Sequence, residues 1–194
     1  NNVPDSIMIK SQGISFSTSL TKSSKSDNKF IKATLDKIKP SFSASQSSSS
    51  NSLNSEVLNE KYSGSVSYSY PFRRDNYFTP FKWLKDVPWL GDKLGDMNVY
   101  YSPTAFNTSV KMNETFSQTT KRVGARSENY AFGLNRQFSL DYSLTDKLKT
   151  KYKRTITSDL KDSRGYAWIA LKEMDPGVVE KINETLNTSF NPQI

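Results

Sequence analysis

Along one stretch of the chain, every second residue is large and apolar, with one exception. The residues are Tyr130, Phe132, Leu134, Phe138, Leu140, Tyr142 and Leu144, and Arg136 is the exception. Between them lie Ala131, Gly133, Asn135, Gln137, Ser139, Asp141 and Ser143. A period of two predicts a strand over 128–144 with one wet and one apolar face. Four other stretches alternate in the same way. Residues 5–21 set Ile14, Phe16, Thr18 and Leu20 against serines, and Gly13 marks a bulge or bend. Residues 60–72 place Tyr62, Gly64, Val66, Tyr68 and Tyr70 opposite Ser63, Ser65, Ser67 and Ser69. Residues 97–121 place Phe106, Thr108, Val110, Met112 and Phe116 on one face, interrupted by Glu114, opposite Asn107, Ser109, Lys111 and Asn113. Residues 147–158 place Leu148, Tyr152 and Ile156 opposite Lys147, Lys149, Lys151 and Lys153.

The remaining stretches break the alternation. In 23–58, Phe30, Ile31, Leu35 and Ile38 fall at helical spacing until Pro40. This predicts a short helix that either packs on the surface or docks a partner. The serine-rich run after it reads as a flexible, low-complexity loop. In 78–96, Trp83, Trp89 and several aliphatics sit between lysines and aspartates, cut by prolines and glycines. That is an amphipathic helical insertion, suited either to a membrane–water boundary or to a cap burying its tryptophans. Residues 159–190 read as a loop with a short helix, with Asp175-Pro176 as N-cap and first residue and Val178, Val179, Ile182 and Leu186 as its apolar side.

The expected fold class is therefore all-β. What meets the apolar faces is either a protein core or lipid. Strands alternating over about 15 residues are longer than the usual 5 to 6 of soluble domains, and about 9–11 tilted residues span a bilayer. Polar faces of serine, asparagine and lysine suit a water-filled lumen. Against this, Arg136 and Glu114 sit on apolar faces, where an Arg at mid-depth costs about 2–4 kcal/mol. Arg136 is therefore expected at a membrane boundary or against protein. A soluble β-sandwich with long hairpins, such as a binding or adhesion module, gives the same alternation.

Composition narrows the chemistry. The 194 residues include 11 Phe, 10 Tyr and 3 Trp, no Cys and no His, with a net charge of +8. The lack of His removes Ser-His-Asp and Cys-His arrangements and the commonest metal ligand. No phosphate loop, dinucleotide motif or calcium loop is present, so the reading is of a non-enzyme with no cofactor and no metal. The charge fits anionic lipid or a basic channel wall. Nucleic acid is not expected, since no aromatic or recognition-helix motif accompanies the charge. The lysines from Lys147 to Lys153 form either a solvated strand face or a basic strip along a channel.

The order of these stretches resembles a known family. "GSVSYSYPF" leads into "FKWLKDVPWLGDKLGDMNVYYSPTAFNTSVKMNETFSQTTKR", followed by "NYAFGLNRQFSLDYSLTDKLKTKYKR". Over about residues 60–160 this resembles the SprA/Sov family of giant outer-membrane translocons, part of the Bacteroidetes type IX secretion and gliding-motility machinery. The chain departs from the family pattern at Lys111 and Glu114, where an Arg-rich strand is expected, and in "TITSDLKDSRGYAW", which lacks an acidic Pro-containing loop. The resemblance implies a very large barrel of 36 strands that exports folded cargo from the periplasm. It also implies a PorV-type partner barrel over a lateral opening, and a periplasmic plug protein. On this expectation the chain, read as an internal segment of something longer, is one arc of the wall. Lys111, Asn113, Asn135, Gln137, Ser139, Asp141, Lys149, Lys151 and Lys153 would face the lumen. Phe106, Val110, Met112, Phe116, Tyr130, Phe132, Leu134, Phe138, Leu140, Tyr142 and Leu144 would face lipid or a partner. Trp83 and Trp89 would be interfacial.

Overall fold

The computed structural model describes residues 8–22, 26–88, 94–163 and 176–191. In chain order its strands are β1 (Lys10–Ser19), β2 (Ile38–Ser50), β3 (Asn54–Pro71), β4 (Tyr77–Phe78), β5 (Val99–Tyr100), β6 (Ala105–Lys121), β7 (Arg126–Ser143), β8 (Leu148–Asp159) and β9 (Val178–Phe190). One helix, α1 (Lys29–Ala33), lies between β1 and β2. Seven strands form a single open sheet in the order β1-β2-β3-β6-β7-β8-β9, and β4 pairs only with β5. Every pairing is antiparallel. No helix among the described residues is long and apolar enough to cross a membrane.

The tight turns have identifiable chemistry. Asn51 Oδ1 accepts the N–H groups of Leu53 and Asn54 at 3.0 and 2.8 Å, closing β2 onto β3. Gly124, at φ 116°, closes β6 onto β7 in a conformation that side chains resist. Thr145 Oγ1 accepts from the N–H groups of Lys147 and Leu148 at 3.2 and 3.0 Å, closing β7 onto β8. The register places the first two turns and the β8–β9 connection at one end of the sheet. The β7–β8 turn shares the other end with the long connections β1–β2 and β3–β6.

Two sequence expectations are corrected. The serine-rich part of 23–58 is not a flexible loop: it is β2, paired along its length with β1 and β3. Its serines alternate with Phe42 and Ala44, and neighbouring strands supply the backbone partners that the run lacks alone. The apolar residues at the end of 159–190 do not form a helix: they lie on β9, paired with β8. Ile182, Leu186 and Phe190 are four apart, a spacing that suits a helix turn and two strand repeats equally, so β-branched content and pairing decide.

Boundaries differ too. The expected strand 97–121 is divided, because Pro103 carries no N–H for the ladder and Tyr100 bonds instead to the Leu144 carbonyl at 2.9 Å. In 78–96 the described residues include a 3-10 turn at Lys82–Leu84, between β4 and β5 in the chain, and π-helical backbone at Leu94 and Gly95. Asp175 and Trp89 lie outside the described residues.

Burial is slight. The buried apolar side chains among the described residues are Tyr100, Phe132, Leu134 and Leu160. The chain exposes 14139 Å², whereas a compact 22.0 kDa monomer exposes about 9,300 Å² by the area–mass relation. A sandwich needs a second sheet about 10 Å from the first. Among the described residues the only other sheet is the β4–β5 pair, two residues per strand.

Candidate functional site

The feature with functional content is the contrast between the two faces of the seven-stranded sheet. Side-chain alternation and register assign every residue to a face. One carries Phe16, Phe42, Tyr62, Val66, Met112, Leu134, Ile156 and Ile182 with their register mates. The other carries Ser17, Ser43, Ser63, Asn113, Asn135, Thr157 and Lys181 with theirs. Across seven strands the second face holds nothing apolar larger than Val57.

The apolar face is banded. Near the end that bears the long connections, Tyr68, Phe106, Phe138 and Tyr152 form an edge-to-face aromatic row across β3, β6, β7 and β8, with centroids 5.9, 5.2 and 6.1 Å apart. Toward the other end lie Phe16, Tyr62, Phe116, Tyr130 and Phe132. Aliphatics fill the space between: Val66, Val110, Met112, Leu134 and Ile156. On β6, ten residues separate Phe106 from Phe116. At a rise of about 3.4 Å that is about 34 Å along the strand, which the usual barrel tilt of about 40° would reduce to a height of about 26 Å.

The band also runs obliquely to the hydrogen bonds. Partner by partner, Phe16 leads through Ala44, Tyr62 and Glu114 to Phe132. From the opposite edge, Leu186 leads through Tyr152 to Leu140, eight residues further along β7. Strands about 4.8 Å apart and tilted about 40° climb about seven residues over six intervals when a band is held level.

Several charges on the apolar face have partners. Arg136 Nη2 donates to Ser158 Oγ at 3.0 Å and to the Pro176 carbonyl at 3.2 Å. Tyr130 donates its hydroxyl hydrogen to Glu114 Oε1 at 2.9 Å. Arg154 on β8 pairs with Glu184 on β9 at 3.1 Å.

The residues expected to face lipid or a partner separate into groups. Phe106, Val110, Met112, Phe116, Tyr130, Phe138, Leu140 and Tyr142 do lie on the apolar face, with Val110 and Phe138 exposed. Phe132 and Leu134 lie there too but are only 3% exposed, because Leu160 after β8 folds back onto them and Met112 and Tyr130 pack alongside. Leu144 falls in the β7–β8 turn rather than in the strand. Tyr142 donates to the Tyr100 carbonyl at 2.7 Å, so the β4–β5 pair covers it. That pair is pinned by Arg74, which lies 4.3 Å over the Tyr100 ring and 2.8 Å from Asp146 Oδ1. Trp83 is 72% exposed beside it.

The residues expected to face a lumen share the polar face: Lys111, Asn113, Asn135, Gln137, Ser139, Asp141, Lys149, Lys151 and Lys153. They bond one another across strands. Asn107 donates to Ser139 Oγ at 3.4 Å, and Asn135 to Thr157 Oγ1 at 3.4 Å. Ser63 and Ser69 donate to Asn113 and Asn107 at 3.0 and 2.6 Å. Lys151 pairs with Asp141 at 3.1 Å, while Lys149 and Lys153 point outward and exposed. The sequence put Asn107 on the polar face without a partner, and did not point to Ser158 or the Arg154–Glu184 pair. The register between neighbouring strands is what reveals them.

Among the described residues, no group of three acidic side chains is placed to hold a metal ion. The Asp36 carboxyl is held below its ordinary range, first by the hydrogen bond from Lys22 Nζ at 2.6 Å, then by the Ser26 N–H at 2.8 Å. No model of a known protein family matches the chain, and no curated protein matches it.

Proposed function

We propose that the chain is an arc of the wall of a large β-barrel in a bacterial outer membrane. The observation that carries this reading is the oblique band. Its height of about 26 Å agrees with the roughly 25 Å apolar belt of such barrels, and aromatic rows bound it on both sides. On β1, Ile14, Phe16 and Thr18 trace to Tyr130, Phe132 and Leu134 of β7, and on β9, Val179, Ile182 and Leu186 trace to Leu134, Arg136 and Leu140, an offset of the kind that tilted strands crossing a level slab would give. The apolar face then meets lipid or a partner barrel, and the polar face lines water. Two of the three short turns, at 51–53 and 122–125, share one end of the sheet, which would be the periplasmic end by the usual pattern of such barrels, with the β7–β8 turn at the other.

The wall is completed by other strands. Among the described residues β1 and β9 are the two edges of the sheet, and they run in the same direction because seven antiparallel strands lie in sequence across it. Copies joined edge to edge in one membrane orientation would therefore meet in parallel. An all-antiparallel barrel needs an odd number of further strands between these edges.

The resemblance to the SprA/Sov family extends the reading. The arc belongs to a protein-conducting channel that passes folded cargo out of the periplasm in type IX secretion, with no chemistry of its own. Its partners would be the rest of the same barrel, a PorV-type barrel, a plug protein, the cargo and outer-membrane lipid. Membrane fractionation of the native organism tests this. The chain should stay in the outer-membrane pellet after alkaline carbonate washing. Recovery as a detergent-free monomer with a cooperative melt would overturn the reading in favour of a soluble module.

A further inference from the structure

At the end of the sheet that carries the long connections, the β1–β2 connection folds over β3 on the apolar side. Tyr68 anchors it by donating its hydroxyl hydrogen to the Ala33 carbonyl at 2.7 Å. Asn28 caps α1, accepting from the Phe30 N–H at 2.9 Å. Between this segment and the end of β3 lies a groove of about 510 Å³ lined by Lys29, Lys32, Lys37, Arg73, Tyr70 and Ala33, with Pro71 at its edge. Four of these are cations and none is an acid. Among the described residues, no ion pair joins any of the four to an acidic side chain. In the segment, the Asp36 carboxylate is taken up by Lys22 and the Ser26 N–H.

The position of the groove says what its occupant is. Its floor, Tyr70, belongs to the aromatic end of the apolar band, next to Tyr68 and Phe106. Phe30 and Leu35, on the segment that forms the groove's outer lip, are 74% and 58% exposed with no protein surface over them. A cationic groove directly beyond an aromatic row, flanked by outward apolar side chains, matches the layering of a bilayer surface: acyl chain, interface, phosphate.

We propose that this groove binds the phosphate of an anionic lipid, with Lys29, Lys32, Lys37 and Arg73 around the headgroup and Phe30 and Leu35 among the acyl chains. Arg73 is the residue able to grip two phosphate oxygens at once, and the lysines add point charges. The proposal rests on the membrane-wall reading, and it makes the β1–β2 connection a lipid-docking element rather than a solvent loop.

The test uses the full chain and two kinds of vesicle, one of phosphatidylcholine alone and one doped with phosphatidylglycerol. The K29Q/K32Q/K37Q/R73Q variant is compared with K149Q/K151Q/K153Q, which removes lysines from the polar face. The proposal expects the groove variant to lose roughly 10²- to 10³-fold in preference for the anionic vesicles, from the typical worth of one basic residue at a membrane surface. The polar-face variant should lose less than about threefold. Equal losses in the two variants, or none in the groove variant, would overturn it. So would displacement of the wild-type chain from anionic vesicles by millimolar inorganic phosphate at constant ionic strength, which would identify a free-anion site. Binding of all forms to pure phosphatidylcholine vesicles reports separately on the wall reading, because that arm does not involve the groove.

Discussion

Arg136 on β7 donates from Nη2 to the Oγ of Ser158 on β8, 3.0 Å away, on the face that carries the large apolar side chains. Ser158 is fully buried, and the same nitrogen also reaches the Pro176 carbonyl. The charge is thus turned toward protein, to Ser158 on β8 and to the Pro176 carbonyl ahead of β9. Ser158→Ala strips the guanidinium of a buried partner and should cost about 1–3 kcal/mol. Arg136→Leu combined with Ser158→Ala removes both polar groups and should recover most of that loss. Urea titration of the chain folded into phospholipid vesicles measures each arm, and additive losses in the double variant would contradict the pairing.

Depth along β6 sets the cost of a new charge. Val110 lies at the centre of the apolar band and Thr120 beyond its edge. In a bilayer, Val110→Arg should cost about 2–4 kcal/mol and Thr120→Arg about 0–1 kcal/mol. The same titrations compare them. Equal costs at the two depths would argue that this face meets water.

Two glycines should respond in opposite ways. Gly177 has φ 63°, and a Cβ there would sit 2.6 Å from the Asp159 carbonyl oxygen, so Gly177→Ala should destabilise by about 1–3 kcal/mol. Gly64 lies in β3 with nothing within 4 Å of an added Cβ, so Gly64→Ala should stabilise by about 0.5–1 kcal/mol. Thermal unfolding of both variants checks the contrast.

Asp36 gives a pH-dependent signal outside the sheet. Its carboxyl is held below the ordinary range by Lys22 and the Ser26 N–H, so their ordering of the 22–37 segment is present above the ordinary carboxylate value. It is lost as pH falls through the lowered one. The amide resonance of Ser26 should therefore titrate with a midpoint below the ordinary range, and Lys22→Ala should move that midpoint up. An unmoved midpoint would dissociate Lys22 from the effect.

The strands were legible where large apolar residues mark every second position, as from Tyr130 to Tyr142, because that period has no helical counterpart. They were hidden where the marker is sparse. In β2 only Phe42 and Ala44 interrupt the serines, and in β9 the apolar residues recur every four. Both strands exist because β1, β3 and β8 lie beside them, which is information outside the local sequence. The two faces were visible as alternation, but the oblique band was not. It appears only when Phe16 and Leu186 are traced through their partners to Phe132 and Leu140. The charge on Arg136 was visible as an anomaly, and its resolution through Ser158 and Pro176 depends on the pairing of β8 with β7 and on where the chain enters β9.

The central claim is that one face of this sheet meets lipid and the other meets water. The chain has no cysteine, so single cysteines can be placed along β7 at positions 135, 137, 138, 140 and 141 without background. In lipid vesicles, a membrane-impermeant maleimide should modify Asn135→Cys, Gln137→Cys and Asp141→Cys. Phe138→Cys and Leu140→Cys should be protected from it, and spin labels there should relax with oxygen dissolved in the acyl phase. Uniform modification of all five positions by the water-soluble reagent would contradict the account.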